Sequence, residues 1–149
     1  TMMPNQDIIS NIKTLIRKKD RDGLFALLPG TMFYKEAIEE AAKEGDMALV
    51  GELFERLGFN INGSEFTFAQ QALLNQALSG CAMGLHFELI KPLVEKGANI
   101  VFAVNALISV SGLTDENITQ LQACVKGTAQ DSKLQEALGV YQTIASVSN

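Results

Sequence analysis

The sequence predicts an all-α fold, a stack of antiparallel helix pairs, and the clearest pattern lies in the central unit, residues 34–62. Five apolar residues there recur at the spacing of one helix face: Leu49, Val50, Leu53, Phe54 and Leu57. Gly45-Asp46 separates this stripe from an earlier one, and Gly58 is expected to end the helix because glycine readily adopts the left-handed conformation. Since neither helix can bury its apolar face alone, the pair is predicted to pack against neighbouring pairs.

An earlier copy of the pattern occupies residues 7–30. Asp7 is the predicted cap of its first helix. The apolar stripe of that helix consists of Ile8, Ile9, Ile12, Leu15 and Ile16. A corner at Asp20 leads into a second stripe, which Pro29-Gly30 should end. Aligning Asp20 with Asp46 places the two copies 26 residues apart.

A third unit is predicted at residues 70–100. Aligning its Gly80 with Gly45 gives an offset of 35 residues, and the extra residues in CAMGLHFE, 81–88, predict an enlarged corner between its two helices. Pro92 is expected to kink or restart the second helix of this unit, because proline has no backbone N–H to donate.

The fourth unit, residues 104–147, is predicted to close the stack with irregular helices, since the ends of a helical array need atypical capping elements. Thr114 is a predicted helix cap, followed by Asp115 in the first turn. The last helix, over residues 131–147, has an apolar stripe of Leu134, Leu138, Tyr141 and Ile144.

The central unit resembles an ankyrin repeat in the order of its features: Ala41-Ala42, Gly45, an apolar helix, Gly58 and a loop ending in Asn62. The resemblance is best over residues 34–100, and it implies an ankyrin-like α-solenoid. The chain departs from the family at residues 71–74, where QALL stands in place of the usual T-P-L-H. A stack of helical hairpins without ankyrin fingers is the alternative architecture.

Composition limits the classes of function. A chain of 149 residues with 47% hydrophobic residues can bury a core as one domain, residues 1–149. The net charge of −5 disfavours a nucleic-acid partner, because phosphate binding is driven by Lys and Arg. No apolar run approaches the ~18–20 residues of a membrane span, and no leader is visible. A soluble, cytoplasmic protein is expected. A bacterial effector is a further option, since ankyrin arrays occur in eukaryotes and in bacteria that live with them.

The residue types that carry chemistry are sparse. His86 is the single histidine, and Cys81 and Cys124 are the two cysteines. Their spacing matches no zinc motif. Four carboxylates, at Glu36, Glu39, Glu40 and Glu44, share one predicted helix and are typical of a solvated face.

We therefore expect no enzyme activity, no metal and no cofactor. Two alternatives stay open, a thiol-dependent enzyme that uses Cys81 with His86 and a structural oligomerisation domain. A disulfide between Cys81 and Cys124 is also open, although two buried thiols in a reducing compartment are the simpler interpretation.

The ankyrin resemblance implies a protein–protein interaction module, an adaptor or an inhibitor. In that family the first helix of each pair and the adjacent loop tips contact the partner. The corresponding residues are Glu36, Glu40, Lys43, Glu44, Phe59, Glu65, Phe66, Phe68, Gln71, Asn75, Ser79 and Phe102. An acidic surface with aromatic tips would suit a basic or amphipathic segment of another protein. Alternatively, Phe66 and Phe68 fold back onto the helices.

Overall fold

The computed structural model describes residues 5–28, 30 and 32–148. Within these residues the chain forms nine α-helices and one short 3-10 helix, Phe87–Leu89, and no β-strand. The all-α prediction is therefore confirmed for this part of the chain. The helices are α1 (Asn5–Arg17), α2 (Arg21–Leu27), α3 (Tyr34–Lys43), α4 (Met47–Arg56), α5 (Phe68–Met83), α6 (Ile90–Glu95), α7 (Val101–Val110), α8 (Asp115–Val125) and α9 (Asp131–Ser148).

Helices that are consecutive in the chain pack as pairs in three cases: α1 with α2, α3 with α4, and α5 with α6. The odd-numbered helices link these pairs, because α1 packs on α3, α3 on α5, α5 on α7 and α7 on α9. Helix α8 packs mainly on α6, the 3-10 helix and α9. The apolar side chains buried between these helices form one continuous core.

The corner between the paired helices has the same backbone geometry in all three pairs. Its first residue has a positive φ: 60° at Lys19, 75° at Gly45 and 59° at Leu85. In the central pair, Gly45 N–H donates to the carbonyl of Ala42 and Asp46 N–H to that of Ala41, both at 2.9 Å. The other two corners have the equivalent two bonds, so all three helices end in a Schellman motif.

Two of these corners are followed by a side-chain cap, in which an aspartate accepts a hydrogen bond from the first turn of the next helix. The Asp20 carboxylate accepts a hydrogen bond from Gly23 N–H at 2.9 Å, and the Asp46 carboxylate accepts one from Leu49 N–H at 3.0 Å. The prediction of equivalent corners at Asp20 and Asp46 is confirmed. The third corner has His86 at the same place, and its side chain does not cap α6 or the 3-10 helix.

The observed third corner lies within the enlarged corner predicted at residues 81–88, but the equivalence of Gly80 with Gly45 is wrong. Gly80 is buried inside α5, and the third corner lies at Leu85–His86, 40 residues after the corner at Gly45–Asp46. A Cβ on Gly80 would overlap the carbonyl oxygen of Glu39. The glycine therefore lets the backbones of α3 and α5 approach each other, a role that sequence spacing did not distinguish from a turn.

The remaining local predictions concern the ends of helices, at Thr114, Pro92, Asp7 and Pro29. Thr114 caps α8 as predicted, through a bond from Asn117 N–H at 3.1 Å. Pro92 lies in the first turn of α6, directly after the 3-10 helix. Asp7 lies inside α1 and is not its cap, because the helix already includes Asn5. Pro29, predicted to end α2, lies outside the described residues.

Helix α9 follows its predicted stripe only at the start. Leu134 and Leu138 are buried, Tyr141 is partly buried and Ile144 is exposed. The C-terminal half of this helix therefore presents apolar side chains to solvent.

Candidate partner-binding surface

The predicted binding residues on α3 are divided between surface and core. Lys43 and Glu44 are exposed and Glu36 is partly exposed. Glu40 is only 6% exposed. Its carboxylate lies 3.6 Å from the guanidinium Nε of Arg17 on α1. The expectation that Glu40 faces a partner is therefore wrong, because this position faces the neighbouring helix and forms an ion pair there.

The polar residues predicted on α5, Gln71, Asn75 and Ser79, are all partly buried. Asn75 has a structural role that the sequence did not suggest, because its side-chain oxygen accepts a hydrogen bond from Asn99 N–H at 2.7 Å. Ile100 N–H donates in a similar way to the side-chain oxygen of Gln130, at 3.0 Å. A side chain from α5 and one from the turn before α9 thus hold the segment that leads into α7.

The loop aromatics separate into buried and exposed groups. Phe59 is 2% exposed and lies between Phe54 and Phe66, with ring centroids 4.8 and 5.2 Å apart. Phe66 is partly buried, and its ring lies 5.9 Å from the ammonium group of Lys96. The expectation that Phe59 is presented at a loop tip is wrong. Packing against Phe54 gives this ring more apolar contact than the tip of the loop would.

Two of the predicted aromatics are exposed. Phe68, the first residue of α5, is 89% exposed, and Phe102, the second residue of α7, is also exposed. Glu65, which precedes the Thr67 cap of α5, is exposed as well. Since α5 and α7 pack on each other, the two exposed rings occupy the first turns of neighbouring helices.

Hydrogen bonds between Thr67 and Gln70 fix the backbone on either side of Phe68. The Thr67 hydroxyl accepts from Gln70 N–H at 3.2 Å, and the Gln70 side chain accepts in return from Thr67 N–H at 2.9 Å. This reciprocal capping box holds the first turn of α5 in a helical conformation. The exposed ring therefore projects from ordered backbone.

A carboxylate is also held between α3 and α5. Glu39 accepts a hydrogen bond from the side-chain amide of Gln76. Burial raises the pKa of Glu39, and the nearby carboxylates of Glu40 and Glu36 add to this, while the ammonium group of Lys13 opposes it. The surface formed by α3 and α5 therefore carries both acidic and basic side chains, and the Glu39 carboxylate in it is partly buried.

A groove between α4 and α6 was not predicted. It has a volume of about 690 Å³, with Met47, Ile61 and Leu93 among its apolar lining and Glu55 and Lys96 among its charged lining. Gly51, in the middle of α4, also lines it, and a Cβ there would meet nothing within 4 Å. The sequence carries no clear signal of this groove, because a glycine inside a helix can border open space, as at Gly51, or allow a close approach, as at Gly80.

Glu52, one of the carboxylates that line this groove, already forms ion pairs. The Glu52 carboxylate lies 2.9 Å from a guanidinium nitrogen of Arg21 on α2 and 3.8 Å from one of Arg56. The Arg56 guanidinium in turn lies 3.7 Å from the ring centre of Phe25. These contacts connect α2 with α4 and leave Glu52 with little capacity for a further cation.

Both cysteines are buried and free, so the optional Cys81–Cys124 disulfide is not formed. Burial raises the pKa of the Cys81 thiol to about 12, and the Glu88 carboxylate contributes to the rise. Burial also raises the pKa of Cys124. Both thiols are therefore held protonated at neutral pH, whereas a nucleophilic cysteine needs the thiolate. The His86 ring nitrogen Nε2 is engaged by the backbone carbonyl of Lys43 at 2.9 Å.

Among the described residues, no three His, Cys, Asp or Glu side chains are grouped so that they could hold a metal ion. Within the same part of the chain, no helix has the length and apolar character needed to cross a membrane.

Comparisons of the chain with protein-family models, with curated proteins and with solved structures found no match. The function is therefore inferred from the geometry described above.

Proposed function

We propose that this chain is a non-catalytic protein-binding module, an adaptor or inhibitor built as a degenerate ankyrin-like helical array. The three equivalent corners at Lys19, Gly45 and Leu85 support the repeat architecture, since each ends the first helix of a pair and reverses the chain through the same motif. So does the stacking of α1, α3, α5 and α7 in chain order. An array of this kind offers a continuous surface across its first helices.

The observation that carries the proposal is the exposure of Phe68 on the capped first turn of α5. A phenylalanine buries about 150–250 Å² when it is covered, and rigid aromatic anchors dominate the energy of many interfaces. Because the capping box already orders this turn, a partner would not have to order it. Phe102 is a second exposed aromatic residue, on the first turn of the neighbouring helix α7.

The charge near this edge indicates the chemistry of the partner. Glu65 is exposed three residues before Phe68, and Glu36 in the first turn of α3 is partly exposed, in a chain of net charge −5. Glu44 lies at the other end of α3, near Gly84, and outside this edge. We propose a partner segment with an apolar residue to contact Phe68 and basic residues to complement the carboxylates. The free, buried thiols are consistent with a reducing compartment, and we propose a cytoplasmic location.

The experiment is affinity capture of partner proteins by the wild-type chain and by Phe68→Ala. Leu85→Ala is the matched control, because it removes an exposed large side chain just beyond the opposite end of α5. Thermal melting must first show that both variants are folded. We expect a protein that is retained by the wild type and by the control, and that Phe68→Ala loses. Equal retention by all three chains would exclude Phe68 as an anchor.

A further inference from the structure

Helices α7 and α9 form an apolar surface that the proposed partner-binding edge does not include. A groove of about 460 Å³ lies between them, with Val104 and Ile108 on the α7 side and Val140 and Ile144 on the α9 side. We call this groove and the exposed stripe of α9 beside it the α7/α9 face.

The exposed stripe of α9 has the spacing of a helix–helix interface. Its residues are the exposed Val140, Ile144 and Val147 and, before them, the partly buried Ala137, separated by three, four and three positions. This is the alternation at which one helix packs against another along a seam. Val140 is 56% exposed and Val147 82% exposed, while Leu134 and Leu138 on the other side of α9 are buried in the core. Helix α9 is therefore apolar on two sides, and the fold covers one of them.

The charged residues of this face are confined to the border of the groove, where Lys133 and Glu136 supply one charge of each sign. Residues 101–114 and 137–148 contain no Asp, Glu, Lys, Arg or His, although the chain as a whole has a net charge of −5. Two copies of an acidic chain repel each other electrostatically. This repulsion is weakest when the two copies approach through this surface. A strongly charged partner, in contrast, would find no complementary group on residues 101–114 or 137–148.

We infer that the α7/α9 face binds a second copy of this chain. In the ridge of Val140, Ile144 and Val147, the first two residues form one wall of this groove. Two copies related by a two-fold axis can therefore each place this ridge in the groove of the other. In such a dimer the Val140–Ile144–Val147 ridge of one copy lies in the α7/α9 groove of the other. The partner-binding edge at Phe68 plays no part in this contact.

The area of the α7/α9 face indicates how tightly two copies should bind each other. Helices of 10 to 12 residues are about 15–18 Å long, and two adjacent helices are about 20 Å wide, so the face covers roughly 300–360 Å² in projection. This is well below the ~800 Å² per partner of a standard interface, and it indicates a reversible dimer with a dissociation constant above ~10 µM.

The test is the molar mass of the full chain by light scattering across a concentration series that reaches about 1 mM, well above the ~10 µM expected of an interface this small. The wild-type mass should rise from 16.1 kDa toward twice that value. The variant Val140→Lys places a charge in the centre of the ridge and should stay at 16.1 kDa over the same range. It also creates a Glu–Lys pair with Glu136 four positions earlier, which favours the helix, so the monomer should remain folded.

Gln120→Lys is the matched control. It adds the same charge at an exposed position of α8, also four residues after a glutamate, Glu116, and away from the α7/α9 face. This variant should dimerise as the wild type does. Far-UV circular dichroism checks that each chain is folded. Should Val140→Lys fail to fold, Val147→Lys replaces it, because Val147 is almost fully exposed.

Two results would overturn the inference. The first is a wild-type mass that stays at 16.1 kDa throughout, which would show that the face does not bind a second copy. The second is a lysine variant that is folded and dimerises as strongly as the wild type, which would place the contact elsewhere. Neither result bears on the role of Phe68.

Discussion

The imidazole nitrogen Nε2 of His86 lies 2.9 Å from the carbonyl oxygen of Lys43, at the end of α3. Because a carbonyl can only accept, Nε2 carries the hydrogen. The His86 ring lies close to Gly45 and Gly84, where a Cβ on either glycine would crowd it. The single histidine of the chain therefore joins the third corner to the second.

Replacing His86 with alanine should lower the free energy of unfolding by about 1 kcal/mol, the net value of one hydrogen bond in a folded protein. The midpoint of urea denaturation measures this, and the m-value should not change. Glu88→Ala is the control, since Glu88 is exposed and its carboxylate lies 3.7 Å from the other ring nitrogen. An equal loss in both variants would show that the bond to Lys43 is not the cause.

Two glycine-to-alanine substitutions should act in opposite directions. Gly80→Ala places a methyl group against the carbonyl of Glu39 and forces α3 and α5 apart, so it should destabilise by about 3 kcal/mol or more. Gly51→Ala adds a methyl group in open space inside α4 and should stabilise by about 0.5–1 kcal/mol, the difference in helix propensity. Thermal or urea unfolding of both variants tests the pair. Similar effects at the two sites would contradict the close contact of α3 with α5.

The Glu39→Gln variant should be more stable than the wild type at neutral pH. The folded state raises the pKa of this carboxyl above its ordinary value of 4.5, chiefly by burial, so its charged form costs stability above the folded-state pKa. That cost disappears as the pH falls through the folded-state pKa toward the unfolded value. The advantage of the variant should therefore shrink in acid, while the glutamine can still accept from Gln76. Urea denaturation at pH 7 and pH 4 checks this, and an advantage that grows in acid would contradict the sign.

Both cysteines should react slowly with an alkylating reagent in the native protein. Cys81 is fully buried with its pKa raised to about 12, and the pKa of Cys124 is also raised by burial. Mass spectrometry after timed exposure to iodoacetamide at pH 7.5 should show two modifications only when denaturant is added. Rapid modification of one thiol in the folded chain would instead favour the thiol-enzyme alternative.

Helix faces and helix caps could be predicted from the sequence, because they depend on residues that are close together in the chain. The spacing of Leu49, Leu53 and Leu57 predicted an apolar helix face, and Thr114 caps its helix as predicted. Such caps are bonds between a side chain and the N–H three residues later, so short-range sequence is enough to predict them.

The tertiary structure decided which of the predicted surface residues are free to meet a partner. Phe59 is buried because Phe54 and Phe66 enclose it, and Glu40 is buried because it pairs with Arg17 from another helix. Gly80 is a contact point between α5 and α3, although its spacing matched that of a corner. These outcomes depend on residues far apart in the chain, and periodicity within one segment does not report which neighbour will pack against it. The exposure of Phe68 and the uncovered face of α9 were likewise visible only after the helices had been packed.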